Sequence, residues 1–290
     1  MGKTVHDVEE ILLEVDRSIK SGKGIDRSIK MLEETLEEIE PTRDDYYETV
    51  IKLATVYRYH RNYADAENVL MNGISKAKTY EKQIHLSDIY RNLSFIKLQQ
   101  KDFVKARIYA KKALSIVKYM KGFKADRSKS NIYAVLGNIF FTTKDYKDAL
   151  KNYQKALKKA KKIGFEERVF TLKGDIANVY IETGKLKKAR DILLSIEEKA
   201  EEVHEKAIPQ IYLRLARIEY ERENLAETKG LIEKAIAVSE KKGWKRDLAE
   251  AREALARVYE KEGKESKVKE EYEKANRIFK EIGLESKIRE

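Results

Sequence analysis

The sequence has no cysteine and very little proline, tryptophan or histidine. Its 290 residues include two prolines, one tryptophan and four histidines. The absence of cysteine excludes a disulfide framework and a thiolate metal site. His6, His60, His85 and His204 are scattered, with no pair at i and i+4 and no HExxH motif. We therefore predict no metal site, no cofactor and no catalytic residue, and we do not expect an enzyme.

Long apolar stretches are also missing. The most apolar stretch, Tyr133 to Phe141, is far shorter than the roughly 20 residues needed to span a bilayer. The N-terminus lacks the apolar segment of a signal peptide. These absences predict a cytoplasmic protein without a membrane partner. Abundant lysine and glutamate, with few amides, are typical of thermophilic proteins, so we expect a thermophilic source.

Positive charge is concentrated in one part of the chain. The net charge is +11, and residues 101–162 contain eighteen Lys and Arg against four Asp and Glu, whereas the remainder has 43 against 46. Such a segment either attracts a phosphate-rich partner, such as nucleic acid or a ribosomal surface, or is a solvated helix face rich in a good helix former. The candidate basic patch consists of Lys111, Lys112, Lys151, Lys155, Lys158 and Lys159.

One pattern of apolar and small residues returns seven times at a period near forty. Successive copies of its small-residue position are 38, 40, 43, 40, 39 and 40 residues apart. A fixed period in this range is typical of a solenoid built from repeated units. We place the repeats at roughly 4–41, 44–80, 84–122, 127–164, 167–204, 207–243 and 247–283, with a tail at 284–290, in a single domain. The register position is occupied by Ser28, Ala66, Ala106, Ala149, Ala189, Thr228 and Val268.

Each repeat is predicted to be a helical hairpin, helix A followed by helix B, because apolar residues recur at spacings of three and four. In the fourth repeat, helix A is expected over Ser130–Thr143 and helix B over Tyr146–Ile163. The hairpin turn is predicted at residues that tolerate left-handed backbone: Asn62, Asp102, Asp145, Gly184, Asn224 and Gly263. Helix B is predicted to stop at a glycine followed by a hydrophobic residue. These stops are Gly122, Gly164, Gly243 and Gly283.

The repeat resembles the tetratricopeptide repeat. The resemblance is carried by the run Leu136-Gly137-x-x-Phe140, followed by Tyr146-x-x-Ala149-x-x-x-Tyr153-x-x-Ala156. The period is longer than that family's usual 34 residues, and most copies lack its closing proline. Repeats of this length resemble those of kinesin light chains, spindle-orientation adaptors and bacterial peptide-sensing regulators. The resemblance implies an all-α, right-handed superhelix of about seven helix-turn-helix repeats.

The resemblance also implies that helix A residues line a concave groove that binds a protein or peptide. The family's clamp for carboxylate tails is matched only at Asn138 and Arg214, and Asp175 stands where its second asparagine would be. A chaperone-tail clamp is therefore not expected. The Asn138 and Asn178 pair is more similar to the asparagine ladder of spindle-orientation adaptors. The candidate groove residues are Arg91, Asn92, Asn138, Phe141, Asp175, Asn178, Arg214, Arg217, Tyr220 and Arg257.

The sequence thus predicts an adaptor that captures a segment of a partner protein. Binding of nucleic acid through the basic third and fourth repeats is the alternative. We expect a monomer or a weak homo-oligomer, since terminal repeats need polar outer faces to stay apart.

Overall fold

The computed structural model describes residues 2–21, 24–284 and 287–288. Every regular element within these ranges is helical, and consecutive helices are joined by short turns. The chain forms two compact units, Met1–Gly164 and Phe165–Glu290. Most of the predicted tail at 284–290 lies outside the described residues.

Unit 1 contains the first four helical hairpins of the described chain. Its core is formed by buried apolar residues of both helices in each hairpin, with alanine at the tightest positions. The helices are α1 (Val5–Ser21), α2 (Ile25–Glu38), α3 (Asp44–Tyr59), α4 (Tyr63–Thr79), α5 (Gln83–Gln99), α6 (Phe103–Val117), α7 (Phe123–Thr142) and α8 (Tyr146–Lys162).

Unit 2 contains three further hairpins, and the first of them ends irregularly. Its second helix, α10, is short and is followed by a four-residue helix, α11, and a 3₁₀ turn at Glu205–Ala207. The α-helices are α9 (Glu166–Glu182), α10 (Leu186–Glu197), α11 (Ala200–Val203), α12 (Ile208–Glu221), α13 (Leu225–Lys242), α14 (Lys245–Lys261) and α15 (Glu265–Glu281). The prediction of an all-α protein made of repeated helical hairpins is confirmed.

The hairpin turns differ in one detail from the prediction. Asp145 and its equivalents Asn62, Asp102 and Asn224 have negative φ angles and serve as N-caps of helix B, accepting a hydrogen bond from the backbone N–H three residues later. The left-handed residue is the one before the cap, for example Lys144 at φ 61°. Gly184 and Gly263 do have positive φ and align with Lys144. The six predicted turn residues therefore occupy two neighbouring positions.

Three of the four predicted glycine stops are confirmed. Gly164, Gly243 and Gly283 have φ between 66° and 70°, directly after helix B. Gly122 is a correction, because α6 already ends at Val117 and Gly122, at φ 102° and ψ 174°, is the N-cap of α7. As a result α7 begins at Phe123 rather than at the predicted Ser130, and residues 118–122 form an irregular loop.

Close contact between paired helices depends on small residues. A Cβ at Gly137 of α7 would lie 2.5 Å from the ring of Tyr153 on α8. Ala149 and Ala156 on α8 are completely buried. Ser130 of α7 uses this proximity, since its hydroxyl donates to the backbone oxygen of Ala156 at 2.9 Å. The equivalent serine one repeat earlier, Ser87, donates to the backbone oxygen of Ala113 at 2.9 Å, so the bond recurs with the repeat.

Candidate functional site

In unit 2, the first helices of consecutive hairpins, α9, α12 and α14, carry a connected set of polar side chains. Arg214 of α12 lies at its centre, and its Nε donates to Oδ1 of Asn178 on α9 at 3.0 Å. A Cβ at Gly174 would lie 3.3 Å from Nη1 of Arg214. The glycine therefore leaves room for the guanidinium group to pack flat against α9.

Asp175 lies beside this guanidinium group. Burial raises the pKa of Asp175, while the positive charges of Arg214 and Arg168 oppose that rise. Burial likewise lowers the pKa of Arg214, and the carboxylates around it, of which Asp175 is the strongest, counteract this. The two groups thus stabilise each other's charged form in a poorly solvated place.

Gln210 connects the same helix to α14. Its Nε2 donates to Oδ1 of Asp247 at 2.8 Å and to Oε2 of Glu250 at 2.9 Å. Burial raises the pKa of Asp247, and the Gln210 hydrogen bond partly offsets this rise. Both acceptors of the Gln210 amide are carboxylates of α14. The α14 side of the set is therefore acidic.

The other predicted groove residues of unit 2 lie nearer the ends of these helices. Nη1 of Arg217 donates to Glu182 of α9 at 2.7 Å. The Lys261 ammonium lies 4.7 Å from the centre of the Tyr220 ring. Nη2 of Arg257 donates to Glu253 of its own helix at 2.7 Å.

The predicted groove residues of unit 1 make mainly local contacts. Oδ1 of Asn138 accepts a hydrogen bond from the Tyr153 hydroxyl at 2.7 Å. Asn92 donates to the backbone oxygen of Asp88 within α5, and the side chain of Arg91 lies 3.5 Å from the Asp88 carboxylate. Phe141 packs edge-on against Tyr146 of the next helix, with ring centres 5.6 Å apart. Within the described ranges, no side-chain hydrogen bond or ion pair joins these four residues to one another.

The predicted basic patch divides into paired and unpaired lysines. Lys159 donates to the buried carboxylate of Asp126 at 2.7 Å. Lys112 and Lys155 lie over the Tyr90 and Tyr133 rings, at 4.8 and 5.4 Å from the ring centres. The remaining three, Lys111, Lys151 and Lys158, are exposed and have no ion-pair partner within the part of the chain that the structure describes.

The described residues also bear on membrane insertion and on metal binding. None of the helices within these ranges is both long and apolar enough to cross a membrane. Across the same residues, no group of three or more His, Cys, Asp or Glu side chains is arranged to hold a metal ion.

Solved structures with the same arrangement of helices decide the fold. A Rap protein in complex with Competence and Sporulation Factor is similar over 96% of this chain and 78% of its own, with a TM-score of 0.68 and 19% identity. A signal transduction ATPase of Pyrococcus horikoshii with a tetratricopeptide repeat sensor is similar over 94% of this chain, with a TM-score of 0.65 and 20% identity. This chain spans 41% of that ATPase's length. The chain has the tetratricopeptide-repeat fold.

A third tetratricopeptide-repeat structure, from Parabacteroides merdae, covers 96% of this chain and 97% of its own, with a TM-score of 0.60 and 14% identity. At these identities the likeness establishes the fold and not the activity. No protein-family model matches the sequence, and no curated protein matches it.

Several partners in the set of polar side chains on α9, α12 and α14 were not predicted from the sequence. Glu182, Asp247, Glu250 and Lys261 take part in the set on α9, α12 and α14 but were not predicted. A signal for them exists, because polar side chains one repeat apart on successive first helices come together. Arg217 and Glu182 are 35 residues apart in sequence, for example. Pairing such positions across repeats would have found them.

Proposed function

We propose that the protein is an interaction scaffold that binds a segment of a partner protein on the first-helix side of its hairpins. The observation that supports this is the set of polar side chains on α9, α12 and α14. Its members are held in place by one another. A surface of ordered side chains loses little conformational entropy when a partner binds.

The two predicted asparagines have the same unused group. The carbonyl oxygen of Asn138 accepts from Tyr153, and that of Asn178 accepts from Arg214. The side-chain amide nitrogen of each has no hydrogen-bond partner among the residues that the structure describes. Each amide therefore keeps, within its own unit, two N–H donors for a backbone carbonyl of a partner.

The fold likeness agrees with this proposal. One similar structure shows a Rap protein in complex with Competence and Sporulation Factor, so an array of this kind accommodates a bound partner. Extended and helical segments are both recognised by preformed helical surfaces. A partner of this kind needs no catalytic group in the scaffold.

An isosteric substitution tests the proposal. In Asn138→Asp with Asn178→Asp, the oxygens that accept from Tyr153 and Arg214 remain, whereas all four amide N–H donors are lost. A net hydrogen bond contributes about 0.5–1.5 kcal/mol. With one such bond from each asparagine to the partner, we expect the affinity to fall about 5-fold to 100-fold in the double variant. The partner would be captured from cells with tagged wild-type protein and its affinity measured by calorimetry.

The matched control is Asn68→Asp with Asn72→Asp, which adds the same charge at exposed positions of α4. This control should bind the partner as the wild type does. Equal affinity of both double variants, with unchanged circular dichroism, would contradict binding at the predicted asparagines.

A further inference from the structure

Helix α8 carries a row of exposed lysines along its outer side. The row runs over residues 147–162, which corresponds to about 22 Å of helix. No exposed residue of α8 is apolar or acidic. The exposed side chains of the helix are Lys147, Lys151, Gln154, Lys155, Lys158, Lys161 and Lys162.

Most of this row is electrostatically uncompensated. Lys147, Lys151, Lys158 and Lys161 have no ion-pair partner within the described ranges, although i,i+4 ion pairs are frequent in unit 2. Like charges four residues apart weaken a helix by a few tenths of a kcal/mol per pair. Ion pairing within the described chain therefore does not explain the row, and its positive charge is available to an external anion.

The carboxyl end of the row adjoins two exposed aromatic rings. Lys159 and Lys162 both bind Asp126 in the first turn of α7, at 2.7 and 2.6 Å. Phe123, three residues earlier, begins α7 and is 59% exposed. Tyr119, in the loop before it, is 82% exposed.

The segment that carries these rings, residues 118–123, is itself basic and anchored. Lys118 lies 4.9 Å from the centre of the Tyr119 ring, and Lys121 follows in the loop. Lys124, in the first turn of α7, is paired with Asp44 at 3.3 Å. Nζ of Lys129, a buried lysine of α7, donates to the backbone oxygen of Met120 at 2.5 Å. The rings are therefore held beside the lysine row on a fixed part of unit 1.

The chemistry of this surface favours nucleic acid over an acidic protein. The cores of protein interfaces are depleted of lysine and need buried apolar anchors, which the exposed side of α8 lacks. A row of lysines suits a phosphodiester backbone, since binding there is driven by charge and counterion release. Exposed aromatic rings suit unpaired bases, because every base has a face that can stack.

We propose that the lysine row of α8 and the exposed rings of Tyr119 and Phe123 form a binding surface for single-stranded nucleic acid. The lysines follow the phosphates, and the two rings stack on bases at one end of the row. This surface is separate from the polar set on α9, α12 and α14, so the two proposals stand or fall independently.

Fluorescence anisotropy with labelled oligonucleotides tests the proposal. The probes are a 20-nucleotide oligouridylate, a 20-nucleotide oligothymidylate and a 20-base-pair duplex, titrated between 50 and 300 mM KCl on the full chain. We expect the single strands to bind more tightly than the duplex, and log K to fall linearly with log salt. Comparison of the RNA probe with the DNA probe shows whether ribose or deoxyribose is preferred.

Two variants separate the two parts of the surface. Lys151→Gln, Lys155→Gln and Lys158→Gln together should reduce the magnitude of the salt slope by about 2, since each phosphate contact on a single strand contributes about 0.7. Tyr119→Ala with Phe123→Ala should weaken binding at least about 5-fold per stacked base while leaving the slope unchanged. The matched control is Lys187→Gln, Lys188→Gln and Lys241→Gln, at exposed positions of unit 2, and it should bind as the wild type does.

Three results would overturn the proposal. The first is no binding of either single strand at 50 mM KCl by a folded wild-type protein. The second is equal weakening of oligonucleotide binding by the unit 2 control variant, which would show that the effect depends only on the net charge of the protein. The third is binding of polyglutamate or of phosphatidylserine vesicles without binding of either oligonucleotide, which would assign the surface to another kind of partner.

Discussion

Gly137→Ala tests the idea that repeat packing is set by side-chain volume at the small positions. Gly137 lies within α7, where alanine is intrinsically favoured over glycine by about 0.8–1.0 kcal/mol. The added Cβ, however, would lie 2.5 Å from Cδ1 and Cε1 of the Tyr153 ring. Tyr153 is 3% exposed and its hydroxyl is bonded to Asn138, so the ring has little room to move.

The expected balance is a loss of stability. Overpacking of a core contact costs about 1–3 kcal/mol, and loss of the Tyr153–Asn138 hydrogen bond costs about 0.5–1.5 kcal/mol more. After the gain in helix propensity is subtracted from these two costs, the free energy of unfolding should fall by about 2 kcal/mol. In a Tyr153→Leu background the clash is relieved, and the same glycine substitution should become neutral or stabilising. The double-mutant cycle should therefore give a coupling of about 2 kcal/mol.

Urea unfolding followed by circular dichroism at 222 nm measures these differences. The control is Gly230→Ala in α13, where a Cβ would meet no atom within 4 Å. That substitution should raise stability by about 0.5–1 kcal/mol through helix propensity alone. If Gly137→Ala is as stable as Gly230→Ala, and no coupling to Tyr153 is found, the packing argument is wrong.

Two further predictions concern the turns and the pH dependence of stability. Lys144→Gly, at φ 61°, should stabilise the protein by up to about 1 kcal/mol, whereas Gly184→Lys, at φ 69°, should destabilise it by about 1–2 kcal/mol, both read from urea midpoints. A hydrogen bond from Lys82 lowers the pKa of Asp44 to about 2. Because this pKa lies below the ordinary value of 3.8 for an aspartate, the contribution of Asp44 to stability is complete above pH 3.8 and is lost as pH falls through about 2. The melting temperatures of wild type and Asp44→Asn should therefore converge between pH 4 and pH 2, and a constant difference would refute the assignment.

The fold could be predicted from the sequence because hairpin packing needs small residues at fixed intervals. Ala106, Ala149 and Ala189 recur at the repeat spacing and are all completely buried. Local backbone detail was harder to predict. Gly122 resembled a helix stop, yet its φ and ψ place it at the start of α7. A glycine tolerates several backbone conformations, so its presence alone does not say which one it adopts.

The candidate site could be predicted only as positions on helix A. Which polar groups remain unused depends on side chains about fifteen to forty residues away. Nothing local to Asn138 shows that Tyr153 bonds to its oxygen, and nothing local to Arg214 shows that Gly174 makes room for it. Such contacts follow from the packing of one helix on another and are absent from the pattern of a single helix.

The distribution of ion pairs distinguishes two uses of charge in this chain. In unit 2, Arg252 bonds to both Glu240 and Glu271, so its charge is compensated within the fold. On the exposed side of α8 the lysines repeat every three or four residues, and the one acidic residue of the helix, Asp148, is half-buried in its first turn. Glutamate at Lys151 would support helix α8 through pairs with Lys147 and Lys155, and its propensity is nearly that of lysine. The fold alone would therefore favour a mixed charge pattern there, and the excess of lysine on the exposed side of α8 is what the proposed binding of an anionic partner would require.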